Sequence, residues 1–354
     1  MPKGKGRQRK RIRKRTWDAS DLDTIRRERR RVRGRESGIG APVEPTRTDL
    51  SGCFSDVEPN ATVLSPYGVL AFVEFERREI LCRVDDALTD GKTSCLAPGD
   101  RVLLEFEEDA ESEQPGVVRA VKRRSTKLSR PAIGGGREQV FAANIDLLVV
   151  VAAVANPPFR SGLVDRYLIA AERGNVAAAL CINKIDLLDA EPAETATYRE
   201  VGLGVVATSC VTGAGLDGLR ELLHGKIGVL AGQSGVGKSS LINALDPRHA
   251  IATASVSDTT RKGRHTTSTS KLYHLEGDIH IIDTPGVRQL GLWGVSPDEL
   301  DYYFSELAAL APQCRFRNCT HIHEPDCAVR AAVESGAIAP ARYASYCRIR
   351  DSLD

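Results

Sequence analysis

The amino-acid sequence predicts a chain of several domains. They are a small β-barrel, an α/β domain built on a P-loop with its motifs in permuted order, and a short α-helical domain with a zinc-type ligand set. Three stretches carry this reading. Residues 61–124 hold five short runs rich in β-branched residues, ATVL, GVLAFVEF, EILCRV, RVLLEF and GVVRAVKRR, spaced as closely as the strands of a small barrel. Residues 226–239, KIGVLAGQSGVGKS, read as a buried strand, a glycine-rich turn and the start of a helix. Near the end, Cys314, Cys319, His321 and Cys327 stand as C-x4-C-x-H-x5-C, four nitrogen and sulfur ligands of the kind a closed tetrahedral site needs.

At 354 residues with 42% hydrophobic content, the chain has room for two or three domains that each bury a core. No run approaches the length of a membrane span, and the basic N-terminus lacks an apolar h-region. The expectation is a cytoplasmic protein that touches no membrane. The nine cysteines are partly scattered and partly at metal-like spacing, which argues against disulfides. The net charge of +2 hides an asymmetry, because residues 1–35 alone hold 16 Lys/Arg against 4 Asp/Glu.

Taken in order, residues 1–50 form a basic arm without apolar periodicity, expected to be disordered. Its arginine blocks at 7–15 and 26–35 suit phosphate backbones and hence RNA. Residues 51–130 follow as the barrel, with PYG, DGK and PGD as turns. An OB-fold and an SH3-like barrel both fit five such strands. Lys122, Arg123, Arg124 and Lys127 form a basic end that suits RNA or a solvated rim equally.

A glycine-rich linker at 131–137 leads into residues 138–292. Here the continuous apolar run at 145–154 suits a strand buried on both faces. Helix and strand signals then alternate through 163–172, 176–182, 193–201, 205–207 and 216–223, an α/β pattern. Asn183, Lys184 and Asp186, in NKID, fall just past a strand's C-terminal edge, where ligands of α/β sheets bind. A carboxylate there can accept both guanine donors, N1–H and the exocyclic amine, in a bidentate fork that adenine cannot offer. Ser209 and Cys210, in TSC, suit the loop whose backbone N–H meets the guanine O6.

The stretch from Gly232 through Gln233, Ser234, Gly235, Val236 and Gly237 to Lys238 and Ser239 completes the pattern G-x-x-x-x-G-K-[ST], with Ser240 behind it. Backbone N–H groups there converge on phosphate at a helix N-terminus. Lys238 reaches the β- and γ-phosphates and the Ser239 hydroxyl binds Mg²⁺. GRHTT follows at 263–267, with Thr266 or Thr267 able to reach the metal. Then comes DTPG, whose Asp283 holds Mg²⁺ through water and whose Gly286 N–H senses the γ-phosphate. Many enzymes of this chemistry place a glutamine after that glycine to orient water, but here Val287 stands there. His265 is the local candidate for positioning water, ahead of Gln289.

Residues 293–354 form the last unit. Ser296 with Glu299 three residues on marks a helix start near Pro297 that Pro312 ends. Two more helices are expected around 327–335 and 340–353. His321 and His323 compete as the fourth metal ligand.

The order along the chain is guanine reader, small-polar loop, P-loop, threonine loop, DTPG, so the domain is circularly permuted, with residues 224–226 joining the old ends. These residues resemble the RsgA or YjeQ family, circularly permuted GTPases of small ribosomal subunit maturation. The resemblance covers roughly residues 55–350 and rests on NKID, GQSGVGKSSLIN, GRHTT, DTPG and the Cys/His cluster. It implies a GTPase with weak intrinsic turnover, stimulated by the 30S subunit, with an OB-fold before the GTPase domain and a zinc domain after it. It also selects His321 over His323. The expected partners are GTP and GDP, the 30S subunit and its rRNA, with the chain itself a monomer; the cofactors are one structural Zn²⁺ and Mg²⁺ with GTP. The competing reading is an rRNA-binding chaperone or tether in which turnover is secondary.

Replacing His265 by alanine should remove most subunit-stimulated GTP turnover while leaving nucleotide affinity near the original value. Stimulated turnover at the unsubstituted rate would reject a role for this imidazole.

Overall fold

The structure, a computed structural model of the chain, describes residues 54–90, 92–106, 116–132, 136–188, 192–248, 270–284 and 291–353. All lie within the compact unit Pro45–Asp354. The basic arm 1–50 is outside the described residues.

After a short strand β1 (Phe54–Ser55), strands β2 (Ala61–Tyr67), β3 (Leu70–Phe75), β4 (Arg78–Val84), β5 (Arg101–Phe106) and β6 (Gly116–Lys122) close into a ring in the order β2-β3-β4-β6-β5. The β4–β6 pair is parallel and every other pair in the ring is antiparallel. This is an OB-like barrel. A parallel pair cannot be joined by a tight turn, and the chain reaches β6 from β4 only after the segment 85–100 and strand β5. Val63, Ala71, Val73, Cys82, Val102, Val118 and Val121 are fully buried inside it, because alternate residues of each strand face the interior. Below them Asp100 is fully buried, held by the Arg124 guanidinium at 2.7 Å.

On either side of the stretch read from sequence as a linker, β7 (Lys127–Pro131) and β8 (Glu138–Ala143) pair antiparallel. The α/β domain follows with β9 (Leu147–Ala153), α1 (Ser161–Arg173), β10 (Ala177–Asn183), α2 (Glu194–Glu200), β11 (Gly204–Thr208), α3 (Leu216–Leu223), β12 (Lys226–Ala231), α4 (Lys238–Leu245), β13 (Lys271–Leu275) and β14 (Ile279–Asp283). The sheet order is β11-β10-β9-β12-β14-β13, parallel except for β13. Sequence reading missed β13. Its Leu272 and Leu275 are buried, but Lys271, Tyr273 and His274 are not, so it lacks the apolar continuity of the central strands. All seven residues of β9 are buried, as expected of a strand covered on both faces.

The permuted ends meet in the sheet. The bridge at 224–226 runs from α3 to β12 and is pinned to the β13–β14 turn, where Gly225 N–H donates to the Asp278 carbonyl at 2.8 Å. The first and last parallel strands in the chain, β9 and β14, lie on either side of β12.

The single helix expected over 297–312 is three pieces: 3-10 turns at Pro297–Tyr303 and Ala311–Gln313, with α5 (Ser305–Leu310) between them. Phe304 interrupts it, extended at φ −109° and ψ 99°. That turn drives its ring into the core, 5.7 Å from Tyr346 and under the Arg342 guanidinium at 4.6 Å. Ser296 N–H donates to the Glu299 carboxylate at 3.2 Å, as its spacing suggested. Helices α6 (Ala328–Glu334) and α7 (Pro340–Asp351) complete the chain.

Helix α7 packs on α1 through buried charge. Arg342 bonds Asp165 on α1, and its Nε donates to Glu306 Oε1 at 2.6 Å. Tyr198 of α2 donates to the same Asp165 at 3.0 Å. Asp165 and Arg342 are 1% and 5% exposed, so neither has water to fall back on. Arg342→Ala should therefore lower stability by about 3–5 kcal/mol, since it leaves a buried carboxylate uncompensated. Chemical denaturation measures this, and a loss under 1 kcal/mol, the size of a surface pair, would show that solvent reaches the cluster.

Candidate functional site

The P-loop forms because β12 ends in a backbone path that only glycine accepts. Gly232 has φ +154°, and a Cβ there would lie 2.1 Å from the Val151 carbonyl oxygen of β9. Gly237 has φ +99°, and its Cβ would meet the Asn183 side-chain nitrogen at 2.3 Å. Between them Gln233, Ser234 and Gly235 are accessible while Val236 is buried. Lys238 opens α4 and turns back over the loop, its Nζ donating to the carbonyls of Gly232 at 2.8 Å and Gln233 at 3.0 Å. Ser239 and Ser240 follow in the first turn of α4.

The NKID segment, Asn183 to Asp186, is attached to this loop directly. Asn183, at the end of β10, stands in register with Ala153 of β9 and Thr208 of β11. Its amide donates to the Val236 carbonyl at 2.9 Å and accepts from the Thr208 hydroxyl at 3.1 Å. Lys184 adopts a left-handed backbone, φ +64°, and its ammonium bonds the Asn156 carbonyl. Asp186 lies in the 3-10 turn Ile185–Leu187 and is exposed. The Ser209 hydroxyl donates to it at 2.5 Å while accepting the N–H groups of Val211 and Thr212 at 3.1 and 3.2 Å. Ser209 thus fixes both the carboxylate and the loop after β11. Cys210 Sγ sits 3.9 Å from Asn183 Oδ1, and burial pushes its thiol up.

Asp283 ends β14, the neighbour of β12, which places it at the same sheet edge as the P-loop. Burial pushes its carboxyl up, opposed by the Lys238 ammonium and by the Thr284 N–H. Ser239 and Asp283 are hard oxygen donors at the mouth of a phosphate cradle, a donor set that fits Mg²⁺. His265, Thr266, Thr267, Gly286, Val287 and Gln289 lie outside the described residues.

At the other end, Cys314, Cys319, His321 and Cys327 present ligand atoms that all lie within 4.8 Å of one another. Cys314 and Cys327 sulfurs are 3.9 Å apart, and His321 Nδ1 lies 3.5 and 3.4 Å from them. A tetrahedral zinc ion with ligand bonds of about 2.0–2.3 Å sets such edges at about 3.5–3.8 Å, so the spacing fits that ion. His321 is 1% exposed and its Nε2 faces Asp301 at 3.7 Å, the placement of a carboxylate that orients a ligating imidazole. Burial pushes the Cys319 thiol up to about 12, and the neighbouring sulfurs of Cys327 and Cys314 add to this. A bound cation removes that penalty by taking the thiolates as ligands. His323 is exposed and outside the cluster.

Two supporting residues escaped sequence reading: Asn156, which receives Lys184, and Asp301, which faces His321. Thr208, read from sequence as the start of the small-polar loop, orients Asn183. Asn156 acts through its main chain and Asp301 lies 20 residues before its histidine, so neither leaves a pattern.

Residues 121–293 match the family model described as RsgA GTPase. The small ribosomal subunit biogenesis GTPase RsgA of Shewanella oneidensis is 39% identical over 305 residues, 84% of this chain and 84% of that protein. Among solved structures, YjeQ from Thermotoga maritima superposes with TM-score 0.64 at 32% identity, over 83% of this chain and 98% of that one. YloQ, a circularly permuted GTPase, superposes with TM-score 0.62 at 28% identity, over 83% and 94%. With the NKID segment bound to the P-loop and motifs in this permuted order, the chain belongs to the RsgA family of GTPases.

Proposed function

We propose that the chain hydrolyses GTP to GDP and phosphate as a factor in late maturation of the small ribosomal subunit, with turnover stimulated by that subunit. One observation carries the nucleotide half of this reading. The Asn183 amide ties the NKID segment to the P-loop through the Val236 carbonyl, making one pocket of a base reader and a phosphate cradle. The ribosomal half rests on family membership and on the role that the relatives' name, small ribosomal subunit biogenesis GTPase, gives them.

The residues take the following parts. Asp186, steadied by Ser209, accepts the two guanine donors, and Asn183 and Lys184 hold its turn against the P-loop and the Asn156 loop. Backbone N–H groups from Ser234 to Ser240 cradle the α- and β-phosphates. Lys238 leaves its carbonyl partners to meet the β- and γ-phosphates, exchanging neutral acceptors for charged ones. Ser239, Asp283 and Thr267 would hold Mg²⁺, which supplies positive charge where the β- and γ-phosphate oxygens gather it. His265 positions the attacking water, and Gly286 senses the γ-phosphate. Cys314, Cys319, His321 and Cys327 hold a structural zinc ion, with no position left for water.

In this scheme residues 1–50 are an RNA-binding arm, 51–130 the OB-like barrel, 138–292 the GTPase domain and 293–354 the zinc domain. The rRNA of the subunit is the partner of the arm and the barrel, and the protein works in the cytoplasm as a monomer. No described helix is long and apolar enough to cross a membrane.

Turnover measured with and without small ribosomal subunits tests the function: acceleration is expected, and an unchanged rate would favour an RNA tether. Asp186→Asn tests the base reader. An amide donates where the carboxylate accepts, so GTP affinity should fall by at least about 10-fold, about 1.4 kcal/mol. Xanthosine triphosphate, with a carbonyl in place of the exocyclic amine, should bind better than to the unsubstituted protein. Equal GTP affinity in competition titrations would place the base elsewhere.

A further inference from the structure

We propose that His274 and His280, a cross-strand pair on the edge of the sheet, form a binding site for a divalent transition-metal ion such as Zn²⁺, with Glu74 and Asp278 as the carboxylates that orient them. The site shares no residue with the nucleotide pocket or the cysteine cluster.

Strand pairing brings the two imidazoles together. His274 of β13 stands directly opposite His280 of β14 in the antiparallel ladder, so both side chains leave the same face of the sheet. Two residues along on that face, the opposed pair Leu272 and Ile282 is buried in one core cluster with Leu64 of the barrel. Ile279 and Ile281, on either side of His280, are buried as well. The backbone under the pair is therefore fixed, and ligands on a rigid support need little ordering when an ion arrives.

The ring nitrogens are arranged as metal ligands are. His274 Nδ1 and His280 Nδ1 face each other at 2.7 Å. On the far side of each ring stands a carboxylate. Glu74 Oε1, from β3 of the barrel, is 3.1 Å from His274 Nε2, and Asp278 Oδ1 is 3.3 Å from His280 Nε2. A histidine bound to a metal through one nitrogen presents the other to a carboxylate, a carbonyl or water, and here both rings of the pair face a carboxylate.

The pair needs positive charge between its nitrogens. A carboxylate oxygen at such a distance repels a bare ring nitrogen, so each Nε2 carries a proton. A neutral ring holds only one, which leaves two Nδ1 lone pairs pointed at each other across 2.7 Å. A shared proton relieves that repulsion. A divalent ion relieves it too, and also matches the two negative charges of Glu74 and Asp278.

The spacing admits such an ion. Bonds of about 2.0–2.1 Å at a right angle set two coordinated nitrogens about 3 Å apart, so a small opening of the pair suffices. The rings cross at 83° with centroids 4.7 Å apart, and coordination at a right angle would place them about 4.5 Å apart. The His274 and His280 side chains are 42% and 28% exposed, so water completes the coordination shell. Imidazole suits Zn²⁺, Ni²⁺ or Cu²⁺, whereas Mg²⁺ and Ca²⁺ take oxygen ligands. With Glu74 on the barrel and both ligands on the GTPase sheet, a bound ion also ties the barrel to the sheet.

The test uses full-length protein, Zn²⁺ as the probe and competition with a fluorescent chelator as the measurement. The unsubstituted protein should bind one zinc ion per chain more than the His274→Gln/His280→Gln double variant, whatever the cysteine cluster holds. Glu74→Gln keeps both ligands and should weaken that ion by about 10–100-fold. His224→Gln alters an exposed imidazole beside the same turn, its Nδ1 2.8 Å from the Gly277 carbonyl, and should leave the ion in place. Equal zinc content in the unsubstituted protein and the double variant would overturn the proposal and leave the pair sharing a proton only. Loss of the ion in His224→Gln would overturn it as well, and undiminished affinity in Glu74→Gln would remove the orienting part given to that carboxylate. Nitrogen-15 NMR of the rings reads the geometry directly: Zn²⁺ should move two Nδ1 resonances that the double variant lacks while the matching Nε2 atoms keep their protons, and coordination through Nε2 would contradict the assignment.

Discussion

The Asn183 side chain makes one site out of two loops that are 53 residues apart in sequence. Its amide is 2% exposed, so every polar atom on it must find a partner inside the protein. The nitrogen takes the Val236 carbonyl and the oxygen takes the Thr208 hydroxyl, which also contacts Cys181 Sγ at 3.3 Å. The ends of β10 and β11 and the P-loop thus share a single buried network. Its members stiffen one another in a region of low dielectric, and none can be removed without stranding another. The requirement for glycine at position 237 comes partly from the same place, since the Asn183 amide occupies the volume a β-carbon would fill.

That network explains how the permuted order is tolerated. A binding site at a sheet edge depends on which strands are neighbours, not on the order in which the chain visits them. Here β12 lies between β9 and β14, so the chain enters and leaves the parallel core on either side of the P-loop strand. The old termini are closed over by a three-residue bridge tied to the β13–β14 turn. The units before and after the domain therefore attach at the strands that flank the phosphate cradle.

Much of this was legible in the residues, and the illegible parts share a cause. The central strands announce themselves by unbroken apolar runs, as in Leu147–Ala153. The P-loop does so because its glycines answer to steric limits that hold in any fold. The three cysteines of the Cys/His cluster follow from ligand spacing, while the choice of His321 over His323 came from the family resemblance. Strand β13 was missed because an edge strand needs only one covered face, and its sequence KLYHL, which mixes Lys271, Tyr273 and His274 with two leucines, hides it. The helix over 297–312 was read as continuous because its capping residues and final proline were present. Only tertiary packing, the demand that Phe304 reach Tyr346 and Arg342, breaks it. The supporting groups Asn156 and Asp301 were invisible for the same reason, as each acts on a residue that the fold alone brings near.

The two flanking units are held to the GTPase domain by different mixtures of contact. The barrel meets strand β13 through two partly exposed pairs, Lys271 with Glu79 at 2.8 Å and His274 with Glu74 at 3.1 Å. It also does so through the buried Ser65 hydroxyl, which donates to the Ser270 carbonyl at 3.0 Å, and through buried Leu64, which shares a core cluster with Leu272 and Ile282. The exposed pairs contribute little individually, so the buried leucine and hydroxyl carry most of this contact. The C-terminal helices meet α1 through the buried Asp165–Arg342–Glu306 cluster and the core around Ile169, contacts that are costly to separate. Since β13 pairs along its whole length with β14, the strand that ends in Asp283, the barrel is tied through β13 to the strand beside the P-loop, while the C-terminal helices are tied through α1 to the core that packs on β9 and β12; the two flanking units thus reach the same sheet by different routes.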